Sequence, residues 1–431
     1  MKLVEKIEKI WSDQPTPFLI SKGEALSVAD ITTTNDYLSQ IKQGDVVALI
    51  GDFDSVSIAS LLHLIDLGAI VMPLSTLTFS DHDYFFEAGM VQFVVNGQSC
   101  IQIQNRKFHQ LLSTLRSLDH AGLILFSTGT TGRPKAILHD MSNFLRRYDT
   151  VRPALKTLSF LLFDHIGGIN TLFHTLFNKG MIVSPIDRSV SGILSSCEIF
   201  SVELLPTTPT FLRMMLMSGL LPAAIPQSLK VVTYGTERMD QITLNTIADL
   251  LPQIDFRQTY GMSELGILRV KSASRNSLYM SVGGEGVETR INSQQTLEIK
   301  SDSRMLGYLN APSPFSEDGW YDTKDIVTQQ GNNIRITGRT SEFVNVGGLK
   351  FMLSEVELVV LGFPGVDLVT ATARDNPITG QHVELTVQPH DPSTFEKEDL
   401  SSFIQENLQP HMRPMRIRIG TVPVGHRFKK K

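Results

Sequence analysis

The chain has 431 residues, 42% of them apolar and 19% charged, with a net charge of −5 and two cysteines. This is enough apolar material for a large core and too little charge for a disordered chain, since soluble proteins average about 25%. The negative balance argues against a surface coated with nucleic acid, and Cys100 and Cys197 cannot make a disulfide framework.

In chain order, Leu3, Val4, Ile7 and Ile10 fall at helical spacing and are interrupted by Glu5, Lys6, Glu8 and Lys9. That is no signal-peptide core, and no run reaches the ~18 apolar residues of a membrane span. A reducing, cytoplasmic setting is expected. Residues 46–50 read as a buried strand, 57–67 as a helix and 69–73 as a strand. Residues 123–126 form a strand ending in a Gly/Thr-rich loop. Further strands are expected at 159–163, 181–183, 202–205 and 229–234, with helices at 170–178, 209–218 and 240–251. Such alternation implies parallel sheets covered by helices, and short bounded apolar runs suit strands buried on both faces. Met214, Met215 and Met217 share one helix and read as core packing.

Near residue 280 the pattern changes. Gly283, Gly284 and Gly286 precede an alternating stretch with turn signals, which predicts a small antiparallel or barrel-like region. After residue 339 comes a separate module with a strand pair, a helix at 395–408 and a strand at 415–419. The expected class is α/β. A large N-terminal domain of helix-covered sheets spans 1–339, and a small α+β C-terminal domain spans 340–431.

The most informative stretch is Ser127-Thr-Gly-Thr-Thr-Gly-Arg-Pro-Lys135, directly after a strand. Glycines let backbone N–H groups turn toward an anion. Ser127, Thr128, Thr130 and Thr131 add hydroxyls around Gly129 and Gly132, and Lys135 adds a charge. A Walker loop needs Gly-Lys-Ser/Thr, which is absent. The stretch resembles the phosphate loop of the adenylate-forming superfamily of acyl- and aryl-CoA synthetases, nonribosomal peptide synthetase adenylation domains and luciferases. Thr128 and Ala136 are mild departures from its pattern.

Other motifs follow in the family's order. Thr259-Tyr-Gly-Met-Ser-Glu264 is similar to the family's Tyr-Gly-x-Thr-Glu. By that resemblance Tyr260 stacks on adenine beside Thr259 and Gly261, and Glu264 holds Mg²⁺. Asp318-Gly-Trp-Tyr-Asp-Thr-Lys-Asp325 resembles the segment whose last Asp binds the ribose, here Asp325, with Lys324 in place of Gly. Gly338-Arg339 resembles the hinge, with Arg339 also on the ribose. Glu342-Phe-Val-Asn-Val-Gly-Gly-Leu-Lys350 resembles the thiolation segment, which implies that Gly347 and Gly348 border a pantetheine arm. Leu67-Gly-Ala-Ile-Val-Met-Pro73 resembles an early core motif.

The family also carries a catalytic lysine six residues after a proline, preceded by Gly. Pro423-Val-Gly-His-Arg-Phe-Lys429 keeps the spacing with Phe428 where Gly is usual. Lys429 is therefore the expected catalytic residue, alongside Glu264 and Lys135, with Lys430 in reserve. Phe163-Asp-His-Ile-Gly-Gly168 resembles the acid-site segment, so His165 and Gly168 are expected at the acid, with Gly235 and Met262. Gly235-Thr-Glu237 would also border the nucleotide, through Gly235, Thr236 and Glu237. The small domain is expected to be a mobile lid.

The resemblance implies ATP- and Mg²⁺-dependent conversion of a carboxylic acid to acyl-AMP with pyrophosphate release. Transfer to coenzyme A or to the phosphopantetheine of an acyl-carrier protein in trans would follow. The segment after His411 holds Arg413, Arg416, Arg418, Arg427 and three terminal lysines without Asp or Glu, a surface that would steer an acidic carrier or bind coenzyme A phosphate. Two other readings are weighed. Asp164 at the Phe-Asp position would suit an amino-acid adenylation enzyme, and a catalytically inactive carrier-binding scaffold would keep the fold alone. A serine hydrolase is excluded, because Gly261-Met-Ser-Glu-Leu265 fails the nucleophile-elbow pattern.

Overall fold

A computed structural model describes residues 1–14, 16–33, 36–103, 109–127 and 133–430. Among them two seven-stranded sheets, a six-stranded sheet and a five-stranded sheet organise the molecule. The first seven-stranded sheet is centred on Val46–Ile50, Ile70–Leu74 and Gly122–Phe126, every residue of which is buried. Val46–Ile50 and Ile70–Leu74 pair in parallel. The helix between them, Ser55–Asp66, covers one face and is capped by Asp54, whose carboxylate accepts from the Ser57 amide. Apolar residues at every strand position are thus explained by cover on both faces.

The second sheet runs in the order Asp255–Gln258, Val231–Tyr234, Leu204–Thr207, Lys156–Leu158, Met181–Val183, Leu19–Ser21 and Glu24–Leu26. Its core strands are parallel. Here the sequence expectation needs a correction. The strand is Lys156–Leu158, and the apolar run 159–163 leaves the sheet. Phe160, Leu162 and Phe163 are nonetheless buried. Arg188 donates to the Phe160 carbonyl and the His165 amide to the Leu162 carbonyl, so the backbone is satisfied outside a ladder. The expected helix 170–178 starts earlier, as Ile166–Phe177, because His165 caps it through its ring nitrogen. Strands foreseen at 202–205 and 229–234 begin two residues later, as Leu204–Thr207 and Val231–Tyr234. Met215 is core as expected, while Met214 and Met217 are half-buried.

The six-stranded sheet is antiparallel and starts earlier than the sequence suggests, at Arg269–Ser272. The five-stranded sheet holds Phe343–Val346, Leu349–Met352, Val366–Asn376, Gly380–Pro389 and Arg416–Ile419. Helices Leu353–Leu361 and Lys397–Asn407 close its apolar face through Val356, Val360, Leu400 and Ile404. Both cysteines are free. No helix among the described residues is long and apolar enough to cross a membrane.

Candidate active site

The site forms where the ends of the parallel strands meet the six-stranded sheet and the C-terminal segment. Thr128, Gly129, Thr130, Thr131 and Gly132 lie outside the described residues. The two ends of their loop are joined. The Ser127 amide donates to the Lys135 carbonyl at 3.0 Å, and the Lys135 amide donates to the Ser127 hydroxyl at 3.0 Å. The Lys135 ammonium stands 4.8 Å from the centre of the Tyr308 ring. The Tyr308 hydroxyl donates to Glu264 Oε1 at 2.8 Å. Tyr308 therefore ties Lys135 to Glu264, a link that the sequence alone does not show. Its signal lies in pairing, since Gly307–Tyr308 adds antiparallel to Ala136–Asp140, the strand that leaves the loop. Burial and the adjacent carboxylate push the Tyr308 hydroxyl far above its ordinary range, which keeps it a donor to Glu264. Tyr84 and Asn310 were also missed. The Tyr84 hydroxyl donates to the Pro134 carbonyl at 2.7 Å, and Asn310 accepts from the Ala136 amide at 2.8 Å.

Glu264 is buried. Among the described residues no three His, Cys, Asp or Glu side chains cluster. A nucleotide-bound Mg²⁺ needs only one or two protein carboxylates, the remaining ligands being phosphate and water. Glu264 fits that requirement.

A second group is centred on Asp325, which is 4% exposed. Its two carboxylate oxygens accept from Arg339 Nε and from the Tyr260 hydroxyl, each at 2.6 Å. Burial opposes the Arg339 charge, but Asp325 outweighs that and raises its pKa. Burial, with Asp325 beside it, pushes the Tyr260 hydroxyl well above its usual range. Tyr260 thus touches the residue expected on the ribose. Thr259 and Gly235 lie in close contact: a Cβ on Gly235 would sit 2.2 Å from Thr259 Oγ1. Thr236 beside it is exposed and in the left-handed region at φ 69°. Gly261 and Met262 pair with Gly266 and Ile267 in a short ladder, and Met262 is half-buried against the Tyr260 cluster.

The third group is a cavity lined by Phe160, Leu161, Leu162, His165, Arg188, Thr236, Arg427 and Lys429. About 10 Å³ remains in it, room for roughly one water. His165 Nδ1 accepts from the Gly167 amide at 3.0 Å. Burial, with Arg427 and Lys429 close by, lowers its pKa well below the ordinary value. His165 is therefore neutral and carries its proton on Nε2. Gly168 has a packing role. A Cβ there would lie 2.0 Å from the Leu162 carbonyl oxygen, so the glycine brings the helix against the loop that holds His165. Gly168→Ala is expected to lower stability by roughly 1–3 kcal/mol and to displace His165, measured as a fall in melting temperature together with a raised KM for the acid.

Lys429 faces this cavity. Burial lowers its pKa to about 8; Glu237 opposes that shift, and Arg427 and Arg339 add to it. Lys430 does not reach the cavity: its ammonium donates to Glu357 at 2.6 Å and to the Val369 carbonyl at 3.2 Å. Glu237 also has a role the sequence did not suggest. It accepts from the Thr210 hydroxyl at 2.7 Å and from the Lys430 amide at 3.2 Å, and so latches the C-terminal segment. Gly347 and Gly348 are not brought to this site. They form an exposed hairpin tip with φ of 60° and 89°, and a Cβ on either meets nothing within 4 Å. Positive φ at both positions is what a two-residue hairpin demands.

The basic C-terminal segment is less free than its composition suggests. Arg427 pairs with Asp164 at 3.1 Å, Arg418 with Glu384 at 3.1 Å, and Arg413 donates to the carbonyls of Gln405 and Leu408.

The architecture is that of adenylate-forming enzymes, and at its site the Lys135–Tyr308–Glu264 contacts, the Asp325 contacts to Arg339 and Tyr260, and Lys429 from the small module come together. Residues 98–309 match the family described as AMP-binding enzyme, and an AMP-binding enzyme domain occupies that stretch. The chain is similar to 4-coumarate–CoA ligase-like 6 of Arabidopsis thaliana, at 23% identity over 95% of this chain and 84% of that protein. It is also similar to the medium/long-chain-fatty-acid–acyl-carrier-protein ligase of Mycobacterium tuberculosis, at 28% identity over 56% of this chain and 51% of that protein. The chain thus spans about half the length of the latter. In fold it resembles o-succinylbenzoate CoA synthetase of Bacillus subtilis, solved with its acyl-adenylate intermediate. The TM-score is 0.76 at 17% identity, covering 99% of this chain and 96% of that one.

Proposed function

We propose that this chain activates a carboxylic acid with ATP and transfers the acyl group to a pantetheine thiol, of coenzyme A or of an acyl-carrier protein. The observation that carries the reading is the position of Lys429. Its ammonium lines the cavity with neutral His165 and stands close enough to Arg339 of the ribose clamp for that charge to register. A cation there bridges acid and nucleotide. The named relatives, ligases of acids to coenzyme A or carrier protein, support the same chemistry.

In the first step a carboxylate oxygen attacks the α-phosphorus. The bond to the bridging oxygen of the β-phosphate breaks and pyrophosphate leaves. Two anions must meet, so fixed positive charge has to offset their repulsion. Lys429 does so at the α-phosphate, and Lys135 holds the outer phosphates. Mg²⁺ held by Glu264 supplies further neutralisation when bound. Asp325 and Arg339 fix the ribose, which sets the angle of attack. His165, held neutral, offers Nε2–H to the acid. In the second step the thiol loses its proton to solvent, sulfur attacks the acyl carbon, the bond to AMP oxygen breaks and AMP leaves. Gly347 and Gly348 would serve this step after the lid has turned.

An amino-acid substrate is disfavoured by one contact. Asp164, which would hold the substrate ammonium, is already paired with Arg427. The decisive measurement is acid-dependent ATP–pyrophosphate exchange across fatty, aryl, hydroxy and amino acids. Exchange with one class is expected; exchange with none would reject the proposal and favour the scaffold reading. Gly348→Val is expected to leave exchange within about twofold and to cut thioester formation tenfold or more, since a β-branched residue resists positive φ and crowds the arm. Equal loss of both steps would reject the role of this tip.

A further inference from the structure

Phe428 occupies the position before the catalytic lysine where the resemblance leads one to expect glycine, and it has no role in the chemistry above. Its ring lies 5.1 Å from Phe160 at an interplanar angle of 28° and 4.9 Å from Phe211 at 69°. The Arg188 guanidinium covers the rings of both Phe160 and Phe428, at 5.3 and 5.4 Å. The Phe428 carbonyl accepts from the Thr208 hydroxyl at 2.8 Å. Its φ of 52° puts a bulky side chain in the left-handed region, an uncommon conformation that glycine would adopt freely. Phe160 and Arg188 line the same cavity as His165 and Lys429. The ring therefore packs on the wall of the acid cavity, where an acid extending past His165 would need space.

We infer that Phe428 is a specificity-determining residue: carried on the C-terminal segment, it backs the Phe160 and Arg188 wall of the acid cavity and restricts the substrate to a short-chain carboxylic acid. This rests on the adenylation reading and adds a limit on acid size set by the lid. When the lid brings Lys429 to the acid, it brings Phe428 with it. An acid too long for the space is thus rejected at the moment of adenylation.

The test is exchange with straight-chain acids from acetate to decanoate, in wild type and Phe428→Gly. One methylene is worth about tenfold or more in a fitted apolar pocket. Wild-type exchange is expected to fall at least tenfold between butyrate and octanoate. Phe428→Gly is expected to raise octanoate relative to butyrate by at least tenfold. Because glycine suits the backbone there, the variant should fold, and its circular dichroism and butyrate exchange verify that. Wild-type exchange that rises with chain length overturns the inference, as does a folded variant with an unchanged profile. A folded variant inert with every acid while wild type uses butyrate also overturns it, since the ring would then anchor Lys429 rather than bound the cavity. A wild type inert with every straight-chain acid overturns this inference, while the adenylation reading is then decided by the aryl, hydroxy and amino acids.

Discussion

Replacing Lys429 with alanine is expected to reduce acid-dependent ATP–pyrophosphate exchange by about 10²–10³-fold, the usual cost of removing one preorganised charge donor from a transition state. Conversion of preformed acyl-AMP to thioester should change by less than about threefold in the same variant, because the role proposed for the ammonium is at the phosphate and not at the thiol. The pH profile gives an independent check. Burial lowers the Lys429 pKa to about 8. The group is charged below that value and neutral above it, so adenylation should fall as the pH rises through about 8. Lys429→Arg remains charged over this range, and its profile should lose that fall even if its rate is lower. Lys430→Ala should act differently, through the Glu357 contact, and leave the pH profile in place. If Lys430→Ala abolished exchange and Lys429→Ala did not, the assignment would be reversed.

The second large effect is expected at Asp325. Alanine there removes acceptors from Arg339 Nε and the Tyr260 hydroxyl at once. A hydrogen bond to a charged group contributes about 1.5–3 kcal/mol, so kcat/KM for ATP should fall about 10–100-fold. Most of that loss should appear in the KM for ATP, with the KM for the acid little changed. Stability should fall as well, because the Tyr260 hydroxyl is left buried without its partner. Asp325→Asn keeps an acceptor and should recover part of the stability but little of the nucleotide affinity. An Asp325→Ala enzyme with unaltered KM for ATP would remove Asp325 from the ribose.

The large effects expected at these residues follow from their contacts. Glu264, Tyr308 and Lys135 form one chain of contacts, and Tyr260, Asp325 and Arg339 form another. Each joins segments far apart in sequence. Lys429 and His165 come from opposite modules, and the latch between Glu237 and the Lys430 amide holds them at one cavity. On the proposed reading, the chemistry therefore depends on how the C-terminal segment sits on the large domain.

The local order of the chain was legible in the residues themselves. All-apolar runs such as Val46–Ile50 and Ile70–Leu74 are strands buried on both faces, and their composition alone says so. The Gly/Thr-rich stretch ending at Lys135 read as an anion-binding loop from its residues, and its resemblance to the adenylate-forming superfamily, with the motifs holding Tyr260, Glu264, Asp325 and Arg339, implied the reaction class. Burial without pairing was not legible: the apolar run 159–163 looks like a strand, but its carbonyls bond to Arg188 and to the His165 amide instead. Nor could sequence show that Tyr308 links Lys135 to Glu264, or that Gly168 is needed for backbone approach. The role of Phe428 was equally hidden. A departure from glycine is visible in the sequence, but what the ring fills depends on Phe160, Phe211 and Arg188, which only the tertiary fold brings around it. Residue type and spacing express what a backbone can do locally; which side chains share a cavity is set by packing between distant segments.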